Sequence, residues 1–254
     1  GIARSFLKIA TATGSVKKVR FEHRAVRAQS AQRALFGKEL RRFTASPNYM
    51  LNCGFGILML PVAGVVLLIK GSALGRMLAD AFSGNVGVVP VLMCAAVCLL
   101  ASMNDMAAPS VSLEGKNLWL AQSLPVVPWQ VLRAKLDVQL VLTGVPVLFC
   151  ALCMVVTLPG GALEKVLLVA VALLYTLLSA LAALALGLKM PNLTWTNEIT
   201  PIKQNACVLL SLFANWFYAI ALGGLYFLCG NVLSPAAYLA IFAVVTAAGS
   251  ALLL

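Results

Sequence analysis

Charged residues are scarce in this chain of 254 residues, and acidic residues are the scarcest. Only 11% of the residues are charged and 61% are hydrophobic, whereas soluble domains carry about 25% charged residues. So few polar side chains cannot cover the surface of a water-soluble protein of this length, and we expect lipid to be the solvent. The scarcity excludes the soluble globular classes and predicts a membrane protein.

Residue patterns typical of catalysis and metal binding are also missing. A single histidine, His23, leaves no HExxH zinc motif and no Ser-His pair, and the aspartates form no cluster. No GxxxxGK[ST] phosphate loop is present, so we expect no ATP hydrolysis by this chain. Cys150 and Cys153 are spaced like a metal or redox motif, but without a nearby histidine or carboxylate they predict small apolar side chains. We expect no enzyme activity, no cofactor and no metal.

Six apolar runs are predicted to be long enough to cross a membrane as helices, which takes about 20 residues. They cover residues 48–70, 86–103, 136–158, 163–188, 205–229 and 234–253. Because backbone groups in lipid must form hydrogen bonds within the helix, the runs predict an all-α bundle of about six transmembrane helices over residues 47–254. In the fourth run Ser179, Ala183 and Gly187 recur every fourth residue, which is typical of closely packed helices.

Basic residues are concentrated at one end of the sequence. Eleven of the nineteen Lys and Arg precede residue 43, rather than alternating with structure throughout, and this distribution excludes a nucleic-acid binder. With that end inside, the inner loops carry sixteen Lys and Arg and the outer loops carry three, so both termini are predicted to be cytoplasmic. Residues 1–30 are predicted to be a basic cytoplasmic linker. They show no signal-peptide pattern, and we expect them to continue a longer polypeptide; the alternative is that a start has been processed away.

Residues 31–46 predict an amphipathic helix that lies at the membrane surface before the first span. Phe36, Leu40 and Phe43 share one helical face, and the basic residues lie mostly opposite them. The alternative is a basic flank of the first span with no fixed helix.

A second informative segment is the predicted cytoplasmic loop over residues 104–135. Leu113 and Trp119 make it too apolar for a free linker, and they lie beside the charged Glu114 and Lys116. Such exposed apolar side chains predict a docking surface for the membrane or for a protein partner. No charged residue lies near the middle of a span, which argues against an ion-coupled carrier. Energy for any transport would therefore come from another polypeptide through this loop.

The string SVSLEGKNLWLAQSLPVVPWQVLRAK (110–135) resembles the cytoplasmic loop of permease subunits of type-two ATP-binding-cassette (ABC) exporters. There a Ser-x-Glu-Gly-Lys-x-x-Trp stretch and then Ser-Leu-Pro precede the third helix. The matching residues are Ser112, Glu114, Gly115, Lys116, Trp119, Ser123, Leu124 and Pro125, with Leu113 as the departure from the simplest spelling. PNLTWTNEITPIKQN (191–205) is similar to the loop before helix five, and LFGKELRRFTASPNYMLNCGFG (35–56) to the helix that enters the first span. The chain thus resembles the carboxy-terminal six-helix half of such a permease.

The resemblance implies an exporter in the plasma membrane, which in a bacterium is the inner membrane. It implies two partners, a second six-helix half and cytoplasmic ABC ATPase subunits. The implied coupling residues are Ser112, Leu113, Glu114, Gly115, Lys116 and Trp119. Glu114 and Lys116 would make polar contacts with the ATPase, and Trp119 would fill a groove on it. A non-transport membrane scaffold or assembly protein is the alternative, since it would show the same topology.

The fifth span has the polar and aromatic content expected of a pathway-lining helix. Ser211, Asn215 and Tyr218 lie within two helical turns, and we expect them to face a substrate route between two halves. The alternative is that they form hydrogen bonds to a neighbouring helix. The residues do not identify the substrate.

Overall fold

The computed structural model describes residues 30–82, 87–230 and 232–254, and no strand occurs among them. Eleven α-helices lie within these ranges: α1 Ala31–Ala45, α2 Pro47–Cys53, α3 Phe55–Ala81, α4 Val88–Ala101, α5 Ala107–Ser110, α6 Leu118–Gln122, α7 Pro128–Thr157, α8 Ala162–Lys189, α9 Ile199–Lys203, α10 Ala206–Cys229 and α11 Pro235–Leu253. A 3₁₀ helix, Ser112–Asn117, lies between α5 and α6. The predicted basic linker lies outside the described residues except for Ser30.

Five helices, α3, α7, α8, α10 and α11, are long and apolar enough to cross a membrane, and their presence confirms the predicted all-α polytopic bundle. The second apolar run is helical too, but α4 has only 14 residues. At 1.5 Å per residue it covers about 21 Å, less than the ~30 Å of a hydrocarbon core. The sequence therefore predicts the number of apolar helices correctly, whereas α4 is shorter than a full span.

The first span begins later than the predicted range of 48–70, because a separate short helix precedes it. The Ser46 hydroxyl accepts a hydrogen bond from the Tyr49 amide at 3.3 Å and thereby caps the start of α2. Gly54 then separates α2 from α3, and a Cβ at this position would collide with the Phe43 ring. From Phe55 the helix continues for 27 residues.

The bundle is built around α4, whose residues are mostly buried. It packs against α3, α7, α8, α10 and α11. Its Val91, Cys94 and Cys98 belong to the main hydrophobic core, together with Met154 of α7 and Tyr175 of α8. The two cysteines thus occupy core positions, as small apolar side chains do.

After α4 the chain turns back into the bundle instead of leaving it. Residues 102–115, which we call the buried turn, are buried except for Met103. The Gln139 side chain of α7 fixes this backbone, since its Oε1 accepts from the Ala107 amide at 2.7 Å and its Nε2 donates to the Asn104 carbonyl at 3.1 Å. Irregular backbone inside a membrane bundle needs such partners. The predicted loop 104–135 is therefore divided, and its first part lies within the fold.

The small-residue stripe of α8 receives this turn. Ser179, Ala183 and Gly187 are all buried, as their spacing predicts. At Gly187 this stripe contacts α5 rather than a spanning helix. The contact is close, since a Cβ on Gly187 would collide with the Ala108 carbonyl oxygen. The stripe thus allows the buried turn to approach the α8 backbone closely.

Candidate functional site

Five acidic and basic side chains meet where α1, the buried turn and the start of α7 come together, at the end predicted to face the cytoplasm. This charge cluster consists of Lys38, Glu39, Arg42, Glu114 and Lys135. Glu114 contacts Lys135 Nζ at 2.8 Å, Arg42 Nη2 at 2.8 Å and Lys38 Nζ at 3.0 Å. Lys135 Nζ also contacts the Glu39 carboxylate at 3.1 Å. Three segments that are distant in sequence are thereby joined through charge.

The centre of the charge cluster is shielded from water. The side chains of Glu114 and Lys135 are only 3% and 2% exposed, whereas Lys38 at 41% lies at the edge. Burial by itself would raise the pKa of Glu114, but the hydrogen bond from Arg42 and the charge of Lys135 outweigh it and lower this pKa below its ordinary value. Glu114 is therefore ionised at neutral pH, and its charge is compensated within the chain.

The amphipathic helix predicted over residues 31–46 is present as α1, with a different buried face. Leu35, Glu39 and Phe43, four residues apart, are fully buried, while Phe36 and Leu40 lie at the edge of this face. The basic residues were expected mostly opposite the apolar side. Two of them instead turn into the charge cluster, because Glu39 brings a carboxylate into the buried stripe.

The buried turn is also fastened to the loop that precedes α10. Ser112 Oγ accepts hydrogen bonds from Asn205 Nδ2 and from the Asn192 amide, both at 3.0 Å. The Ser112 carbonyl accepts from Trp195 Nε1 at 2.6 Å. Gly115 has a φ of 53°, and a Cβ there would lie 3.3 Å from the Trp195 ring, so both backbone and space favour glycine. The two loops that resemble ABC permease loops are therefore in direct contact.

A sequence model of a protein family described as "Membrane protein of 12 TMs" matches residues 2–253. The chain belongs to this family. Membership agrees with the helical bundle and establishes a multi-pass membrane protein. Neither a curated protein nor a solved structure matches the chain.

In this member of the 12-TM family, the predicted coupling residues fall into two groups. Ser112, Leu113, Glu114 and Gly115 are buried, whereas Lys116 and Trp119 are exposed. Three cations of the same chain enclose the Glu114 carboxylate, and its expected contact with a partner stays a prediction. A coupling role for Lys116 and Trp119 stays a prediction.

Residues 116–130, which we call the exposed segment, present apolar side chains to the outside. Trp119 is 62% exposed and Val127 61%, and Leu120, Leu124 and Trp129 are exposed as well. A cleft of ≈330 Å³ with mainly apolar walls lies between α6 and the bundle. The exposed segment is thus apolar, and the bundle packs against only part of it.

The predicted pathway residues lie mostly inside the bundle. Ser211 and Asn215 are buried on the inner side of α10. The Tyr218 hydroxyl forms a hydrogen bond with Thr246 Oγ1 of α11, and its ring lies 5.0 Å from the Tyr175 ring. Tyr218 thus makes the interhelical hydrogen bond given above as the alternative. A pathway role for Ser211, Asn215 and Tyr218 stays a prediction.

Sequence reasoning missed the buried pair of Glu39 and Lys135. It treated Lys135 only as one of the charges that orient the chain in the membrane. One signal was available, because Glu39 lies four residues from both Leu35 and Phe43 and therefore shares their helical face. Nothing local marks Lys135, whose partners come from distant segments.

Proposed function

We propose that this chain is a six-helix half of an ABC exporter permease, driven by separate ATPase subunits in the cytoplasm. The observation that carries the proposal is the apolar exposed segment, which follows directly on a turn locked by the charge cluster. Ion pairs and hydrogen bonds join the buried turn to α1, α7 and the loop before α10. A partner that displaces the exposed segment would therefore move these elements together. The resemblance to type-two ABC exporters lies in the same turn and in the loop that it contacts.

The division of labour in this proposal follows from the sequence. The chain has no phosphate loop, so we assign ATP hydrolysis to the partner subunit. The family description counts 12 spans. The described residues that follow α2 contain six apolar helices of ten residues or more. We therefore infer that a second six-helix unit completes the transporter, in a plasma membrane that is the inner membrane of a bacterium.

The test is association with an ATPase in native membranes. An affinity-tagged chain is purified, and co-purifying ATP hydrolysis and ATPase subunits are quantified for Trp119→Ala and Leu120→Asp. These side chains are 62% and 51% exposed, so both variants should fold normally. If they lie in the centre of the contact, each should reduce association at least about tenfold. The matched control is Phe217→Ala, an aromatic residue of α10 that is 76% exposed, and it should have no effect.

Two results would contradict the proposal. If both variants retain wild-type association and transport-coupled ATP hydrolysis, the exposed segment is not the coupling surface. If no ATP-hydrolysing protein accompanies the wild-type chain while other membrane proteins do, the scaffold alternative is favoured instead.

A further inference from the structure

Asp105, in the buried turn, is a carboxylate that forms no ion pair among the described residues. It is 4% exposed, and among the described residues neither of its oxygens has a hydrogen-bond donor of normal geometry. The ion pairs of this part of the chain involve other carboxylates. An isolated carboxylate in such surroundings is stabilised either by taking up a proton or by a cation from outside the chain.

Asp105 lines a cleft of ≈280 Å³ on the side of the bundle, between the α2–α3 junction and α10. Asn52 and Ser102 add polar groups to its wall, and Phe55 and Trp216 are among its apolar and aromatic residues. Phe55 and Trp216 are 40% and 39% exposed, so the aromatic part of the wall is accessible from outside. The cleft therefore combines an accessible aromatic wall with a single buried negative charge.

We propose that this cleft binds a small organic cation, with the charged group at Asp105 and the apolar part along Trp216. The negative charge has no counterpart within the described chain, and an aromatic ring attracts cations as well as apolar groups. The volume is near the lower end of small-molecule pockets, which begin at about 300 Å³. Identification of this cation as the transported substrate rests on the proposed function, whereas binding itself does not.

Proton uptake should compete with the cation. Burial raises the pKa of Asp105 to about 7, and the nearby Ser211 hydroxyl and Ala108 amide offset this only in part. The other titratable groups that face Asp105 are Tyr49 and Cys53 of α2, Tyr175 of α8 and Cys207 of α10. Burial raises the pKa of Tyr49 and Cys53 well above their ordinary values, so both stay neutral. Cation affinity should therefore rise about tenfold between about pH 6 and pH 8, as Asp105 loses its proton.

The experiment uses the full chain in lipid nanodiscs and labelled benzyltrimethylammonium as the probe. Uptake by empty nanodiscs is subtracted. The uncharged isostere neopentylbenzene, in which carbon replaces the nitrogen, should compete at least about tenfold more weakly than the unlabelled cation. Asp105→Asn should reduce probe binding at least about tenfold while it keeps or raises the thermal midpoint, because it removes an unpaired buried charge. The control Asp137→Asn alters an acid paired with Arg133 at 3.9 Å and outside the cleft, and its affinity should stay within about twofold of wild type.

Three outcomes would overturn the proposal: equal competition by the cation and its isostere, unchanged binding by the folded Asp105→Asn variant, or displacement of the probe by sodium or potassium at concentrations similar to its own. The last would indicate a metal-cation site. This assay contains no ATPase, so its failure would leave the coupling surface untouched. Loss of ATPase association would likewise leave a positive binding result intact.

Discussion

Removal of the Glu114 charge should destabilise the chain more than any other single loss of an acid. In Glu114→Gln the buried Lys135 loses one of its two carboxylates and keeps Glu39 at 3.1 Å. Breaking a buried ion pair costs about 3–5 kcal/mol, and because Glu39 remains we expect the lower end, about 3 kcal/mol. The contact with Lys38, whose side chain is 41% exposed, adds at most about 1 kcal/mol.

The assay is reversible unfolding in mixed micelles by increasing fractions of sodium dodecyl sulfate, followed by circular dichroism. Asp137→Asn serves as the exposed control, and a change of about 0–1 kcal/mol is expected for it. A double-mutant cycle of Glu114→Gln with Lys135→Met should give a coupling energy of about 2 kcal/mol. If Glu114→Gln costs less than about 1 kcal/mol and the cycle shows no coupling, the charge cluster does not hold these segments together.

Three further outcomes follow from the same contacts. Gly187→Ala should destabilise by about 1–3 kcal/mol, because its methyl group would meet a buried carbonyl, whereas Gly144→Ala, with open space at its Cβ, should not destabilise in the same unfolding assay. Ser112→Ala should lower the free energy of unfolding by about 1–3 kcal/mol, because the two N–H groups that donate to its hydroxyl would lose their acceptor. Ser123→Ala, at an exposed site, should leave the stability unchanged. The part of the stability that depends on Glu114 should be constant above about pH 5 and fall as the pH drops through and below about 4, because the pKa of Glu114 is lower in the folded than in the unfolded chain. This loss of stability in acid should be smaller in Glu114→Gln. If the variant loses as much stability in acid as the wild type, the loss does not come from Glu114.

The helical bundle could be predicted because its signals are local. Apolar runs show the helices, and the every-fourth spacing of Ser179, Ala183 and Gly187 shows the packed face of α8. Helix ends were less predictable. At Gly54, between α2 and α3, a side chain would meet the Phe43 ring, which belongs to α1 and cannot be placed from the neighbouring residues.

The candidate site was predicted in part, since its two loops were recognised but their contact was not. Whether an apolar residue such as Trp119 faces outward depends on how the preceding turn is anchored. That anchor is Gln139, which bonds two backbone groups more than thirty positions away. Asp105 was assigned to a cytoplasmic loop for the same reason, because the polar residues around it resemble a loop until the turn is seen to fold back.

The short central helix also bears on how the protein is made. Only Ala96 is exposed among the 14 residues of α4, and the helix is shorter than the hydrocarbon core of a bilayer. Its cover comes from α3 on one side and from α7, α8, α10 and α11, which are synthesised later. A nascent chain that has emerged only as far as α4 thus holds a helix that is too short to span the bilayer and still lacks most of its packing partners. We therefore expect the bundle of this chain to be completed cooperatively, when its last helices arrive.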